Sequence, residues 1–227
     1  MTGNTQTLRR LSLLGLATAT AFLAGCAAPV KVDYTAFRQA KPASILVLPP
    51  LNNSPDVNAT YSVLSQATFP LAEAGYYVLP VALVAETFHQ NGLSNAADMH
   101  AVGPAKLKDI FGADAALYIK VTQYGSKYMV LSSAAVVTAE AQLVDLSTGT
   151  RLWSGTASAS SDEGGNNSGG GLAGLLITAI VKQVLNSMTD ASHPVAGVAS
   201  ARLLSAGQRN GILYGPRSPR YGSDPAN

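Results

Sequence analysis

The chain has 227 residues, with 15 lysines and arginines, 13 aspartates and glutamates, and one cysteine. A single cysteine excludes an internal disulfide framework. The lack of any lysine- or arginine-rich stripe argues against nucleic acid as a partner.

Residues Met1–Arg10 are polar and end in Arg9-Arg10, and Leu11–Leu23 (LSLLGLATATAFL) carries no charge. That apolar stretch is about 20 Å long as a helix, too short to span a bilayer. A positive flank, a short apolar run and then small residues make a secretory signal. Leu23-Ala24-Gly25-Cys26 follows the lipobox pattern: small residues let a signal peptidase close on the chain, and the Cys26 thiolate accepts a diacylglyceryl group. Several acyl chains, at roughly 0.8 kcal/mol per buried methylene, hold a soluble body at a membrane. Ala27 stands where enterobacterial lipoproteins kept at the inner membrane typically have Asp, which favours the outer membrane. Without residues 1–25, 227 − 25 = 202 residues remain. The 15 basic side chains fall to 13 once Arg9 and Arg10 leave, which balances the 13 acidic ones. Residues 26–40 read as a lipidated tether, 41–210 as one α/β periplasmic domain, and 211–227 as a surface tail.

Ser44–Leu48 (SILVL), between Pro42 and Pro49-Pro50, reads as a buried strand, and LNNSPD after it as a loop. Asn58 is placed to cap a helix running to Ala74, bent at Pro70 and ended by Gly75. Tyr76–Leu79 forms a second strand, and Val81–His89 a helix stopped at Asn91-Gly92. After a polar connection comes a helix from Pro104 to Gly112. In Ala115–Tyr124, Leu117, Ile119 and Val121 face one side while Tyr118, Lys120 and Thr122 face the other. Met129–Leu146, the Ser147-Thr148-Gly149 turn and Arg151–Ala159 complete an antiparallel three-strand meander. One of its faces is half polar and open to water or a partner. Residues 161–171 (SDEGGNNSGGG) read as a flexible loop, Leu172–Met188 as an amphipathic helix, and Pro194–Leu204 as another. The tail is pinned at Ile212, Leu213 and Tyr214. The order implies a single layered α/β domain with a mixed parallel and antiparallel sheet.

Little in the chain points to chemistry. His89, His100 and His193 have no Asp, Glu or Cys at metal-ligand spacing, so neither a metal nor another cofactor is expected. There is no GxSxG or SxxK motif, and GGNNSGGGLAG lacks the Lys-Ser/Thr pair of a phosphate loop. Glu140 stands out inside an otherwise mild strand, and a functional role for it depends on burial beside Asp145 or Lys120. Tyr118, Tyr124, Tyr128 and Trp153 are aromatics on a sheet, which serve either as core or as interface anchors.

The phrases YYVLPVALVAETFHQNGL (76–93), GPAKLKDIFGADAALYIKV (103–121), YMVLSSAAVVTAEAQLVDLSTGTRLWSG (128–155) and GILYGP (211–216) occur in order. In them the chain resembles a bacterial lipoprotein family of unknown function that includes a meningococcal surface lipoprotein antigen. The resemblance implies an α/β domain similar to the amino-terminal domain of TolB, with a distant likeness to the curli-secretion lipoprotein CsgG, whose genes often accompany those of the family. It supplies no catalytic residue. The expectation is therefore an outer-membrane lipoprotein, not an enzyme, that assembles with itself or with an envelope partner such as a CsgG-like lipoprotein. The alternative is a periplasmic binding module for peptidoglycan, glycan or a small hydrophobic ligand.

Overall fold

The computed structural model describes residues 32–128, 133–164 and 191–224. The elements are α1 (Thr35–Ala40), β1 (Ser44–Val47), β2 (Leu51–Asn52), α2 (Ala59–Glu73), β3 (Tyr77–Val78), α3 (Val81–Gln90), α4 (Ala96–Ala101), α5 (Pro104–Phe111), β4 (Ala115–Tyr128), β5 (Ser133–Asp145), β6 (Arg151–Ser160), a 3-10 turn (Ser161–Gly164) and α6 (Ser192–Leu204). Cys26 and its preceding Leu23, Ala24 and Gly25 lie outside the described residues. So do most of the glycine-rich stretch and the helix expected over 172–188.

The sheet order is β3-β1-β4-β5-β6, with β2 also beside β4. β1 runs parallel to β3 and β4, and β4-β5-β6 is the antiparallel meander. The mixed sheet expected from the element order is therefore present. Ile45, Leu46, Val47 and Leu48 are all fully buried, as a strand covered on both faces requires. Ile45 and Val47 join the core under α1, α2 and α6, while Leu46 and Leu48 join a second core with Val84, Phe88, Met99 and Leu107 of α3–α5.

The prolines after β1 set a register step. Ile45 lies opposite Ala115 and Leu51 opposite Lys120, so one chain advances six residues while the other advances five. Proline has no N–H to continue a ladder, and the extra residue bulges out at Pro49-Pro50 before pairing resumes. Residues 51–52, expected as loop, become β2 because the β4 edge offers partners that local propensity does not reveal; Asn53 N–H adds a bond to the Val121 carbonyl at 2.9 Å. Asn58 does not cap α2 with its side chain. Its N–H instead donates to Asp56 Oδ1 at 2.9 Å, and the turn is held from Asp56. Within the connection expected to be irregular, Asn95 Oδ1 accepts from Asp98 N–H at 2.9 Å and starts α4.

Two fastenings close the domain at the entry end of β1. Asp114 Oδ2 accepts hydrogen bonds from the Ala43 and Ser44 N–H groups, each at 3.0 Å, and from the Ser44 hydroxyl at 2.9 Å. Burial alone would raise the Asp114 carboxyl, but the Ser44 hydroxyl, those two N–H groups and nearby Lys108 outweigh it and hold it below the ordinary carboxylate value. The second fastening is the C-terminal segment. Ile212 and Leu213 are buried, the Leu213 carbonyl accepts the Tyr76 hydroxyl at 2.6 Å, and Gly215 N–H donates to the Ala74 carbonyl at 2.8 Å. Gly75 sits at φ +96°, and a Cβ there would meet Ser218 N at 2.4 Å.

Three outcomes are expected. Gly75→Ala adds left-handed strain to a clash with backbone and lowers stability by roughly 3 kcal/mol in denaturant melts. Gly92→Ala, at φ +81° with nothing within 4 Å, costs only about 1 kcal/mol. Because the folded Asp114 value is depressed, its stabilisation is present above the unfolded value of about 3.9 and is lost as pH falls through the folded value. The melting difference between wild type and Asp114→Asn should thus be full at pH 7 and shrink below about pH 4.

Candidate functional site

Helices α3–α5 cover β1 and the start of β4 on their side of the sheet, and leave that face bare over the meander. The register aligns the exposed or half-exposed side chains there in rows across the strands: Tyr118, Gln142 and Ser154, then Lys120, Glu140 and Thr156. Neighbouring rows lie about 7 Å apart along the strands and neighbouring strands about 5 Å apart. Thr138 and Ser158 continue the platform, their hydroxyls 2.9 Å apart, and Thr138 also donates to Gln123 Oε1 at 3.0 Å.

At the step where the helices end lies a recess of about 590 Å³. His100 and Tyr118 form its wall, ring centroids 5.3 Å apart and edge to face. His100 Nε2 is 2.9 Å from the Pro49 carbonyl, which can only accept, so Nε2 carries the proton and Nδ1 is left as an acceptor. Burial pulls the His100 value down and the Pro49 bond opposes this only in part, so the ring is neutral at pH 7. Burial also raises the Tyr118 hydroxyl, which stays protonated. Lys120 Nζ and Glu140 Oε2 form an ion pair at 2.7 Å, with both side chains close to half exposed. Glu140 thus lies beside Lys120, but on the wetted face rather than in the interior. The recess offers neutral donors and acceptors, one aromatic wall and a self-neutralised charge pair.

The four aromatics read from the sequence separate. Tyr118 lines the recess. Trp153 is buried in the main core, its Nε1–H donating to the Asn210 carbonyl at 2.9 Å. Tyr124 is buried as well, 4% exposed. Strict alternation would place Tyr124 on the same face as Tyr118, but the β4–β5 register shifts between Val121 and Gln123, and this bulge turns Tyr124 inward. Tyr128 pairs with Ser133 through the backbone, and its side chain lies outside the described part.

A hydrogen-bonded chain that the sequence does not reveal links α2, β4 and α6. The Tyr124 hydroxyl donates to Ser62 Oγ at 2.9 Å, Ser62 Oγ lies 2.8 Å from His193 Nδ1, and His193 Nε2 lies 3.0 Å from Gln66 Nε2. Ser62 and His193 are 131 residues apart, so no local spacing brings them together. An amide, not a carboxylate, orients the imidazole, and Ser62 is buried; the chain satisfies polar groups between packed elements. Among the described residues, no group of three His, Cys, Asp or Glu is placed to hold a metal ion.

Breaking the Lys120–Glu140 pair should leave the fold almost untouched. Glu140→Gln is expected to shift stability by less than about 1 kcal/mol in a denaturant melt, as for other exposed pairs.

Residues 32–217 match the GNA1162-like lipoprotein family. The lipoprotein NMB1124/NMB1162 of Neisseria meningitidis serogroup B is 58% identical over 185 residues, covering 82% of this chain and 85% of the relative. The crystal structure of lipoprotein GNA1162 from Neisseria meningitidis is matched at 59% identity and a TM-score of 0.52, over 64% of this chain and 100% of that one. TolB from Acinetobacter baumannii shows a distant likeness, at 15% identity and a TM-score of 0.29 over 64% of this chain and 28% of that one.

Proposed function

This chain belongs to the GNA1162-like lipoprotein family, and from that premise we propose that it is a noncatalytic component of an envelope, secretion or surface-structure assembly. Family membership supports an outer-membrane, lipid-anchored placement on the periplasmic or surface side. Cys26 is the residue that would carry the lipid. The single observation behind the assembly role is the meander face that the described helices leave uncovered, where rows of hydroxyl, amide and paired charged groups stand on the sheet. A protein surface of this kind suits a polar, hydrogen-bonded interface of the sort found in non-obligate complexes. Its occupant is a second copy or an envelope partner such as a CsgG-like lipoprotein. The recess beside His100 and Tyr118 favours a second reading, a binding module for peptidoglycan or another glycan, since sugars take neutral hydrogen-bonding groups against an aromatic wall.

Chemical crosslinking in intact envelopes separates the two readings. The wild type should yield a higher-mass adduct. The double variant Gln142→Arg/Thr156→Arg, altered at exposed positions, should lose that adduct while its melting midpoint is kept. Only free monomer in the wild type, or an unchanged adduct in the variant, counts against the assembly role. Monomer together with saturable binding of muropeptide fragments would favour the binding module. Cys26→Ala should leave the membrane fraction entirely.

A further inference from the structure

We propose that the corner made by α1 and the C-terminal segment rests on the anionic phosphate headgroups of the bilayer that carries this chain's own lipid anchor. The inference builds on the reading of Cys26 as the acylated residue and concerns a surface separate from the meander face.

Four cations meet at this corner, Arg38 and Lys41 from the end of α1 and Arg217 and Arg220 from the C-terminal segment, and all four are exposed. None forms an ion pair with a carboxylate: the pairs among the described residues are Lys120–Glu140 and Arg202–Glu163. Arg217 Nη1 donates to the Ala43 carbonyl at 3.0 Å, and its guanidinium lies 5.7 Å from the centre of the Tyr77 ring. Arg220 Nη1 donates to the Tyr214 hydroxyl at 3.2 Å. Each guanidinium has five N–H donors, so these contacts fix its position and leave donors facing water. Arg38, Lys41, Tyr214 and Tyr221 share the wall of one recess of about 340 Å³.

Three carboxylates stand near. Asp33 accepts from the Thr35 N–H at 2.8 Å and feels the Arg38 charge, Asp224 accepts from the Tyr214 N–H at 2.8 Å and lines the same recess as Arg38 and Lys41, and Glu73 lines the adjoining recess with Arg220. Four cations against three carboxylates leave the corner with a surplus positive charge, and none of the cations is closed into an ion pair. Tyr77 and Tyr221, 51% and 48% exposed, flank them. Half-exposed tyrosines beside arginine are the composition that settles at a headgroup boundary, where the ring is sheltered and the hydroxyl stays wet.

Chain length selects the bilayer as the occupant. Five residues lie between Cys26 and Val32, the first described residue, and the six steps from one to the other span at most about 21 Å. A body tied that closely, with α1 as its first element, presents this corner to the lipid surface more readily than any face further from the tether. Basic side chains there are attracted to anionic headgroups within a Debye length.

The test uses the acylated protein purified from envelopes, its acyl mass confirmed, and reconstituted in vesicles of phosphatidylcholine alone or with roughly a quarter phosphatidylglycerol. Hydrogen–deuterium exchange is followed over residues 34–42 and 211–224. Exchange should slow three-fold or more in the phosphatidylglycerol vesicles, and high salt should abolish the difference. The double variant Arg38→Gln/Arg220→Gln should keep its melting midpoint and float with both vesicle types, yet lose the protection. Equal exchange in both vesicle types overturns the proposal. So does equal protection by inorganic phosphate on neutral vesicles, which would mark a site for a free anion. Absence of acyl mass would overturn the anchor reading itself, and this inference with it.

Discussion

β4 is paired on both sides and in both senses, parallel with β1 and β2 and antiparallel with β5. That division governs what covers the sheet. Parallel neighbours need crossovers, and the crossovers here bring helices to both faces of β1 and the first half of β4. Antiparallel neighbours need only turns, such as the one after Asp145, whose carboxylate accepts the Ser147 and Thr148 N–H groups at 3.0 and 2.7 Å. The meander therefore brings no helix of its own. α6 returns to cover one of its faces, and among the described residues no helix covers the other. The exposed platform follows from connection type, and its Ser, Thr and Gln side chains are those a wetted strand face tolerates.

Much of this was legible locally. The run SILVL between prolines marks a strand buried on both faces, and the alternation from Leu117 to Val121 separates core from platform correctly. Gly112, at φ +67°, ends α5 where the sequence places the stop. Features that depend on another segment were not legible. β2 exists because β4 has an unfilled edge, and Tyr124 turns inward because of a bulge that no residue type announces. The Ser62–His193 contact joins helices from opposite ends of the domain. Asn95 is different: the SNAAD segment already held a capping residue three positions before an acidic one, a helix start inside a stretch that composition alone marks as loop.

The functional surfaces divide the same way. The family resemblance reads from whole phrases of sequence and agrees with the match over residues 32–217. Which faces are open depends on layer coverage, and only the fold supplies that. The aromatics show the difference: Tyr118 on β4 and Trp153 on β6 belong to one meander, with β5 between them, yet one lines the open recess and the other lies in the core beside the C-terminal segment.

The contact between the first and last described segments also bears on the order of events in folding. The Tyr34 hydroxyl bonds to the Gly211 carbonyl 177 positions away, and residues 212–218 wrap the Gly75 corner. Contacts of such long sequence separation form late, after the closure entropy of the intervening chain has been overcome. A polypeptide made amino end first lacks these clasping residues until its last segment is available. A stop codon shortly before residue 211 would keep the Asp114 hold on Ala43 and Ser44 but strip the carbonyl partners from the Tyr34 and Tyr76 hydroxyls and uncover the Gly75 corner.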